Sequence, residues 1–447
     1  MYPILKKNYM LLRQHGSSVV YPLLFGADGQ ELSSTYSYEK INKTASEILE
    51  LCDGTRSEIM IAEHLAIKYG DSYDKIISFV ENFLSQSVYR GIIEVSEQEK
   101  ASNINISGSY DTIYPFNVQF ELTKACQLRC LHCYNKSGQP RGVELKTDET
   151  KAVIDKLYEM GVKKIMLTGG EPTARQDLGE IAAYAASKFI GVSIASNGYG
   201  FTPSLIKRFR HLRNVVVQIS IDGTESHHNL IRGRTDSYRR AVASIRNLVD
   251  NDVNVVVAST FNDINYQDME AITKTVKDLG AKQITYSITI NSGRAKENNL
   301  MNYLDPSDLL YQGNQMKKRY SDARFFVNIN EISENGINNK ITTCGRGDTQ
   351  ICIRENGDVS PCLQFEFVYG NLLKQEPYDI FHYTRVLKMR GHKEPNFEIC
   401  NDCSQIYSCC GCAAMAYSLP REVCKWKRIY PSFVESLRDI EYTDKEI

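Results

Sequence analysis

Three thiols within eight positions, Cys126, Cys130 and Cys133 in "ACQLRCLHCYN", are the residues of this 447-residue chain best suited to chemistry. They follow the alternating segment "FNVQFELT", whose period of two predicts a β-strand, so the cysteines occupy a loop at a strand end. Structural zinc takes four protein ligands, and no fourth Cys or His stands nearby at fingerlike spacing. Three thiolates instead suit a [4Fe-4S] cluster whose remaining iron is open to a small bidentate molecule.

The other cysteines are unevenly placed. Cys52 is alone near the N-terminus, and nine of the thirteen lie between Cys344 and Cys424. The N-terminal "MYPILKKNYMLLRQHG" lacks the apolar core and cleavage site of a signal peptide, and no 18 apolar residues run together. A cytoplasmic protein is expected, and in a reducing compartment so many thiols point to metal or redox chemistry. The 53 basic and 54 acidic residues leave a net charge of -1, so neither nucleic acid nor membrane is an expected partner.

The elements that must position these residues fall into blocks. Residues 1–100 read as a small domain, with strand-like "SSVVYPLLF", three helical stretches beginning at "INKTASEILELC", and a returning strand "GIIEV". The first helix should bury Ile41, Ala45, Ile48 and Leu49. This order is winged-helix-like, and the polar "SEQEKASNINISGSYD" after it has linker composition. Over residues 113–300 six apolar runs, "FNVQFELT", "KIMLTGG", "GVSIASNG", "VVVQISIDG", "VNVVVASTF" and "QITYSITI", alternate with helical stretches. The α/β pattern predicts a parallel sheet of TIM type, a partial (β/α)6 barrel with its chemistry at the C-terminal strand ends. Residues 301–343 read as a connecting segment. Residues 344–447 are rich in Gly, Asn, Asp and Cys, and metal cross-links are the natural means of holding them.

The spacing C-x3-C-x2-C, with His132 before the last cysteine and Tyr134 after it, resembles the signature of the radical S-adenosylmethionine (radical SAM) superfamily. The resemblance implies that the open iron chelates the amino and carboxylate groups of S-adenosylmethionine, and that one-electron reduction releases a 5'-deoxyadenosyl radical. Gly169, Gly170, Glu171 and Pro172 in "LTGGEP" match the family's motif that contacts the cosubstrate's amino group. Ser196 and Asn197 in "IASNG", Ser220 and Asp222 in "ISIDG", and Arg232 in "IRGR" follow at successive strand ends. By resemblance Ser220 and its polar neighbours contact the ribose, and Arg232 pairs with the cosubstrate carboxylate through its planar fork.

The tail resembles the superfamily's SPASM extension, which carries two auxiliary [4Fe-4S] clusters and brings the implied total to three. Cys344, twelve residues, Gly357, four residues and Cys362 form its first part; Cys400, two residues, Cys403, five residues and Cys409 continue it, followed by Cys412 and Cys424. The "CCGC" run departs from the usual gap of three, so Cys409 and Cys410 compete for one place, and the distance from Cys403 favours Cys409. Carried over, Cys344, Cys362 and Cys412 bind auxiliary cluster I, and Cys400, Cys403, Cys409 and Cys424 bind auxiliary cluster II. Cluster I is then one ligand short, which would leave an iron open to a substrate thiolate. Cys52, Cys352 and Cys410 are spare, with a small buried hydrophobe as their default role.

The front domain resembles, in layout, the peptide-recognition element of maturases of ribosomally made peptides, which bind a precursor's leader segment by strand addition. Leu363 stands where sulfatase-maturing enzymes carry an acid after the cysteine matching Cys362, so that activity is disfavoured. The architecture is most similar to maturases of sactipeptides and ranthipeptides, oxidoreductases that join cysteine sulfur to carbon and draw electrons from a donor such as a flavodoxin or ferredoxin. Two other readings are a maturase forming C-C or C-O bonds or processing a redox-cofactor precursor, and an iron-sulfur sensor without turnover.

Overall fold

The computed structural model describes residues 1–22, 39–140, 142–300, 306–329, 345–365, 367–390, 395–404, 409, 411–431, 435 and 437. They divide into two compact units, the first essentially Met1–Tyr114 and the second essentially Pro115–Ile447.

The front unit holds β1 (Tyr2–Leu5), β2 (Tyr9–Gln14), β3 (Ser17–Pro22), β4 (Glu39–Asn42), α1 (Lys43–Glu50), α2 (Glu58–Tyr69), α3 (Tyr73–Tyr89), β5 (Ile93–Ser96) and β6 (Asn105–Gly108). Ala45, Ile48 and Leu49 form the buried face of α1 as expected, whereas Ile41 lies in β4, before the Asn42 cap, and joins them with Leu11, Val20, Ile61, Leu65, Val80 and Leu84 in one core. Asn42 Oδ1 accepts from the Ala45 N–H at 2.8 Å and so starts α1, while Gly70 in the left-handed region, with φ 64°, ends α2. The returning strand β5 pairs antiparallel with β1. The stretch 96–111 differs from its linker reading, because β6 lies within it and pairs parallel with β2 at the edge of the sheet β4-β3-β2-β6. Backbone pairing with β2 outweighs the polar composition that suggested a linker.

In the second unit all six expected strands form: β7 (Asn117–Glu121), β8 (Lys164–Thr168), β9 (Gly191–Ser196), β10 (Val215–Ser220), β11 (Asn254–Phe261) and β12 (Gln283–Ile288). They lie side by side in chain order and pair parallel. Helices α4 (Thr147–Glu159), α5 (Leu178–Lys188), α6 (Pro203–Phe209), α7 (Glu225–Arg232), α8 (Ser237–Asp250), α9 (Met269–Asp278) and α10 (Gly293–Glu297) intervene. The sheet then exceeds expectation on both sides. From the segment read as a connection come α11 (Pro306–Tyr320) and β13 (Phe326–Ile329), which pairs parallel with β12. From the tail, β14 (Gln350–Ile353) inserts parallel to β7, followed by antiparallel β15 (Asp358–Ser360) and β16 (Gly370–Asn371). The start of the tail therefore continues the central sheet.

The two faces of this sheet differ. Val118, Phe120, Ile165, Leu167, Val192, Ile194, Val217, Val257, Ile284 and Ile351 are buried on one face, against which α5, α8 and α9 pack. On the other face Gln119, Met166, Ser193, Gln218, Ala258 and Thr285 are only half-buried. Strand alternation thus supplies a dry wall and a polar, partly open chamber wall at once. Among the described residues no helix is long and apolar enough to cross a membrane.

Candidate active site

The cysteine loop leaves the end of β7 and is held by its backbone. Cys126 N–H donates to Gly138 O at 2.8 Å, and Gly138 N–H donates to Lys124 O at 2.9 Å. From α10, Arg294 clamps the loop: its N–H donates to Cys133 O at 2.9 Å, Nε to Cys130 O at 2.8 Å and Nη1 to Ser137 O at 2.9 Å. Five guanidinium donors in a rigid fork suit this role, which nothing in the local sequence announces.

The glycine pair after β8 has a steric cause. Gly169 lies at φ +134°, and a Cβ there would stand 2.3 Å from Thr123 O; one on Gly170 would stand 2.2 Å from Ala125 O. Only glycine lets this turn dock on the segment entering Cys126, where Gly170 N–H donates to Thr123 O at 2.6 Å and Glu171 N–H to Ala125 O at 2.8 Å. Pro172 opens the short helical turn that follows. The buried Glu171 carboxylate accepts from Thr173 N–H and Oγ1, from Ser196 Oγ at 2.7 Å and from Asn197 N–H at 2.7 Å. Burial pushes its pKa up, against these hydrogen bonds. Through these contacts the acid braces the β8 and β9 ends against each other.

Two polar side chains reach the cysteine sulfurs. Asn197 Nδ2 lies 3.7 Å from Cys126 Sγ, and Arg232 Nη1, at the end of α7, lies 3.8 Å from Cys130 Sγ. Arg232 Nη2 also meets Asp222 Oδ2 at 2.6 Å, so part of its fork is already engaged rather than turned wholly to a ligand. Asp222 Oδ1 accepts from Thr260 N–H at 2.9 Å, and Oδ2 lies 3.4 Å from His132 Nε2. Burial pushes the Asp222 carboxyl up, but the Arg232 guanidinium, together with the neighbouring His132 and His228 and the Thr260 N–H, outweighs it and leaves the group below its usual range. Burial lowers His132 to about 4 and His228 to about 3, so both rings are neutral; His228 Nδ1 accepts from Asp222 N–H at 3.1 Å. Ser220 ends β10 on the half-exposed face, and half-buried Tyr134 has its hydroxyl 3.4 Å from Glu121 Oε1.

The donor set fits an iron-sulfur cluster. Cys126, Cys130 and Cys133 are near enough to influence one another, and burial raises the Cys126 thiol to about 11. Thiols that stay protonated near neutrality release protons when they ligate iron, and N–H donors at the sulfurs favour the charged, cluster-bound form. Among the described residues no three His, Cys, Asp or Glu converge as around a single metal ion. A cluster takes each thiolate on a separate iron, so its ligands need not converge in that way.

In the tail Cys400, Cys403 and Cys424 come together: Cys403 N–H donates to Cys400 O at 2.9 Å, Cys403 Sγ approaches Val423 O, and burial raises the Cys400 and Cys424 thiols with Cys403 adding to it. Cys412 N–H donates to Cys409 O at 2.8 Å, placing these two on one turn. Cys362 is half-buried in the turn after β15; Cys344 and Cys410 lie outside the described residues. Cys352 is fully buried in β14 opposite Gln119, and Cys52 is fully buried in the front core, as packed hydrophobes would be. The sequence reading missed Arg294, whose partners lie more than 150 positions away, and Glu121 and Arg354, which meet each other across 233 positions; the local signal is an acid closing β7.

A parallel sheet with a three-thiol loop at its strand ends and a cysteine-rich tail defines an iron-sulfur enzyme class. The matches identify it: residues 120–279 match the Radical SAM superfamily, 344–404 the SPASM iron-sulfur cluster-binding domain, and 34–93 coenzyme PQQ synthesis protein D (PqqD). The sporulation killing factor maturation protein SkfB of Bacillus subtilis is 30% identical over 289 residues, 64% of this chain and 70% of that protein. The antilisterial bacteriocin subtilosin biosynthesis protein AlbA of the same species is 26% identical over 413 residues, 88% of this chain and 90% of that protein. In fold the chain is similar to Streptococcus suis SuiB bound to S-adenosylmethionine, with TM-score 0.65 at 13% identity over 93% of this chain and 97% of that one. The chain belongs to the radical SAM superfamily, with an SPASM domain and a PqqD-type domain. Membership implies S-adenosylmethionine and [4Fe-4S] clusters as its cofactors.

Proposed function

We propose that the protein matures a ribosomally made precursor peptide by installing thioether cross-links from cysteine sulfur to carbon. The observation that carries the radical chemistry is the meeting of the cysteine loop with the strand ends, where Asn197 and Arg232 each lie within 4 Å of a cysteine sulfur. The resemblance to SkfB and AlbA, two proteins named for peptide maturation and bacteriocin biosynthesis, supports a peptide substrate. SuiB, similar in fold, has been crystallised with its precursor peptide.

In this reading residues 1–100 receive the leader segment, 113–300 form the radical SAM core, 301–343 connect, and 344–447 form the SPASM domain. Cys126, Cys130 and Cys133 hold the first cluster, and Tyr134, Gly169, Gly170, Glu171, Pro172, Ser196, Asn197, Ser220, Asp222 and Arg232 surround S-adenosylmethionine. Two further clusters use Cys344, Cys362 and Cys412, and Cys400, Cys403, Cys409 and Cys424. Bound there, the clusters and S-adenosylmethionine would supply, with one electron from a flavodoxin or ferredoxin and methionine as leaving group, a hydrogen-abstracting 5'-deoxyadenosyl radical, and the clusters would accept the electron released on C-S bond formation while the thiol proton goes to solvent.

The chain's own residues confine this chemistry. Glu171 and the docked glycine turn fix the mouth of the β8 and β9 ends, Arg294 fixes the loop, and half-buried Gln119, Ser193, Gln218 and Thr285 offer amide and hydroxyl groups to a peptide. The test is high-resolution mass spectrometry of a cysteine-bearing precursor encoded beside this gene, incubated anaerobically with reconstituted enzyme, S-adenosylmethionine and reductant. The expected product has lost two hydrogens per modified cysteine and resists alkylation there. Deoxyadenosine formed while every thiol stays free would refute the thioether bond.

Cys352 bears on the auxiliary site. Its complete burial in β14 supports a packing role, so Cys352→Ala is expected to leave iron per chain unchanged. Loss of about four irons would instead make it a cluster ligand.

A further inference from the structure

The carboxylate of Glu121 ends β7 with no exposed surface, and it joins two cysteine-bearing segments. Its Oε1 accepts from Asn135 Nδ2 at 2.7 Å and lies 3.4 Å from the Tyr134 hydroxyl; these are the two residues after Cys133. Its Oε2 accepts from Lys124 Nζ and from Arg354 Nη1, each at 2.9 Å. Arg354, at the end of β14, turns the rest of its fork the other way. Nη2 donates to the backbone oxygens of Phe365 at 2.7 Å, Leu363 at 3.2 Å and Cys362 at 3.4 Å, and Nε to Ser360 Oγ at 3.3 Å.

One ion pair therefore spans from the segment beside Cys133 to the turn that carries Cys362. A fixed turn would not need it, since Phe365 N–H already donates to Cys362 O at 3.2 Å and closes the turn by itself. The guanidinium adds a constraint between the turn and the end of β7, and in a low-dielectric interior such charge-assisted hydrogen bonds resist displacement.

We infer that the Glu121–Arg354 pair is a positioning device that sets the place of the Cys362 turn relative to the three-cysteine loop, and so tunes the auxiliary cluster that Cys362 serves. This rests on the proposed role of Cys362 as a cluster ligand. Neither Glu121 nor Arg354 touches the reacting groups. They act through backbone placement, which a guanidinium can hold at several carbonyls together and an ammonium cannot.

The test compares anaerobically purified, reconstituted wild-type protein with Arg354→Gln and Arg354→Lys by iron content, electron paramagnetic resonance and peptide turnover. Iron per chain and the reduced-cluster signal that responds to S-adenosylmethionine should match wild type in both variants. Of the signals that do not respond, the one lost in Cys362→Ala should change shape and midpoint potential, and modified peptide per deoxyadenosine should fall at least tenfold. Non-responding signals that are all unchanged would overturn the inference, as would loss of every cluster signal together, which would mark a general structural role. Should Arg354→Gln fail to fold, the same two outcomes are read from Arg354→Lys. Cys362→Ala separates the underlying reading: unchanged iron there refutes Cys362 as a ligand, whatever Arg354 does.

Discussion

Cys133→Ala is expected to abolish reductive cleavage of S-adenosylmethionine, with loss of iron from one cluster. Residues that merely support a metal ligand typically cost about 10–100-fold when removed, so deleting one of only three thiolates should exceed about a hundredfold. Cys133 suits the test because it is half-buried, so the truncation leaves little cavity to confuse the result. Asn197→Ala, which removes a donor near Cys126 Sγ and keeps all thiols, should fall inside the 10–100-fold range. The measurements are 5'-deoxyadenosine by chromatography and iron per chain. Cleavage by Cys133→Ala at more than a tenth of the wild-type rate would refute the three-thiol site.

Asp222→Asn is expected to destabilise the second unit by about 3–5 kcal/mol, because it strands the buried Arg232 charge. The Asp222 carboxylate is fully buried, and Arg232 is 9% exposed, so water cannot replace the lost partner. Removing both charges is a different case. Buried ion pairs exchanged for apolar groups of similar volume are often neutral, so Asp222→Asn combined with Arg232→Met should recover most of the loss. Urea unfolding of the iron-free protein, followed by tyrosine fluorescence and circular dichroism, gives the two values. Equal stability of wild type and Asp222→Asn would show that the pair does not hold the β10 end. Together the two sets of variants separate what the sulfurs do from what the charges behind them do.

Local pattern was enough for much of the molecule. Period-two apolar runs marked all six strands from β7 to β12, the face of α1 followed from helical spacing, and the C-x3-C-x2-C loop stood where a strand ended. These are readable because a strand or helix needs only neighbouring residues to declare which side is buried. The family resemblance in the same motifs, and in the spacing of the tail cysteines, agrees with the Radical SAM and SPASM matches.

Tertiary structure decided what depends on pairing between distant segments. The place of β14 beside β7, more than two hundred positions earlier, rests on inter-strand hydrogen bonds with no local trace. β6 hid in a polar stretch, since backbone N–H and C=O groups pair whatever the side chains are. The same holds for function. The sequence alone marked which thiols and strand ends are the candidates for radical chemistry, because the family resemblance lies in residue type and spacing. Only the folded chain showed that Glu171 braces two strand ends, that Arg232 is shared between Asp222 and Cys130, and that Glu121 and Arg354 bridge two cysteine segments. Such roles belong to partners, and a buried charge finds its partner through the packing that excludes water around it.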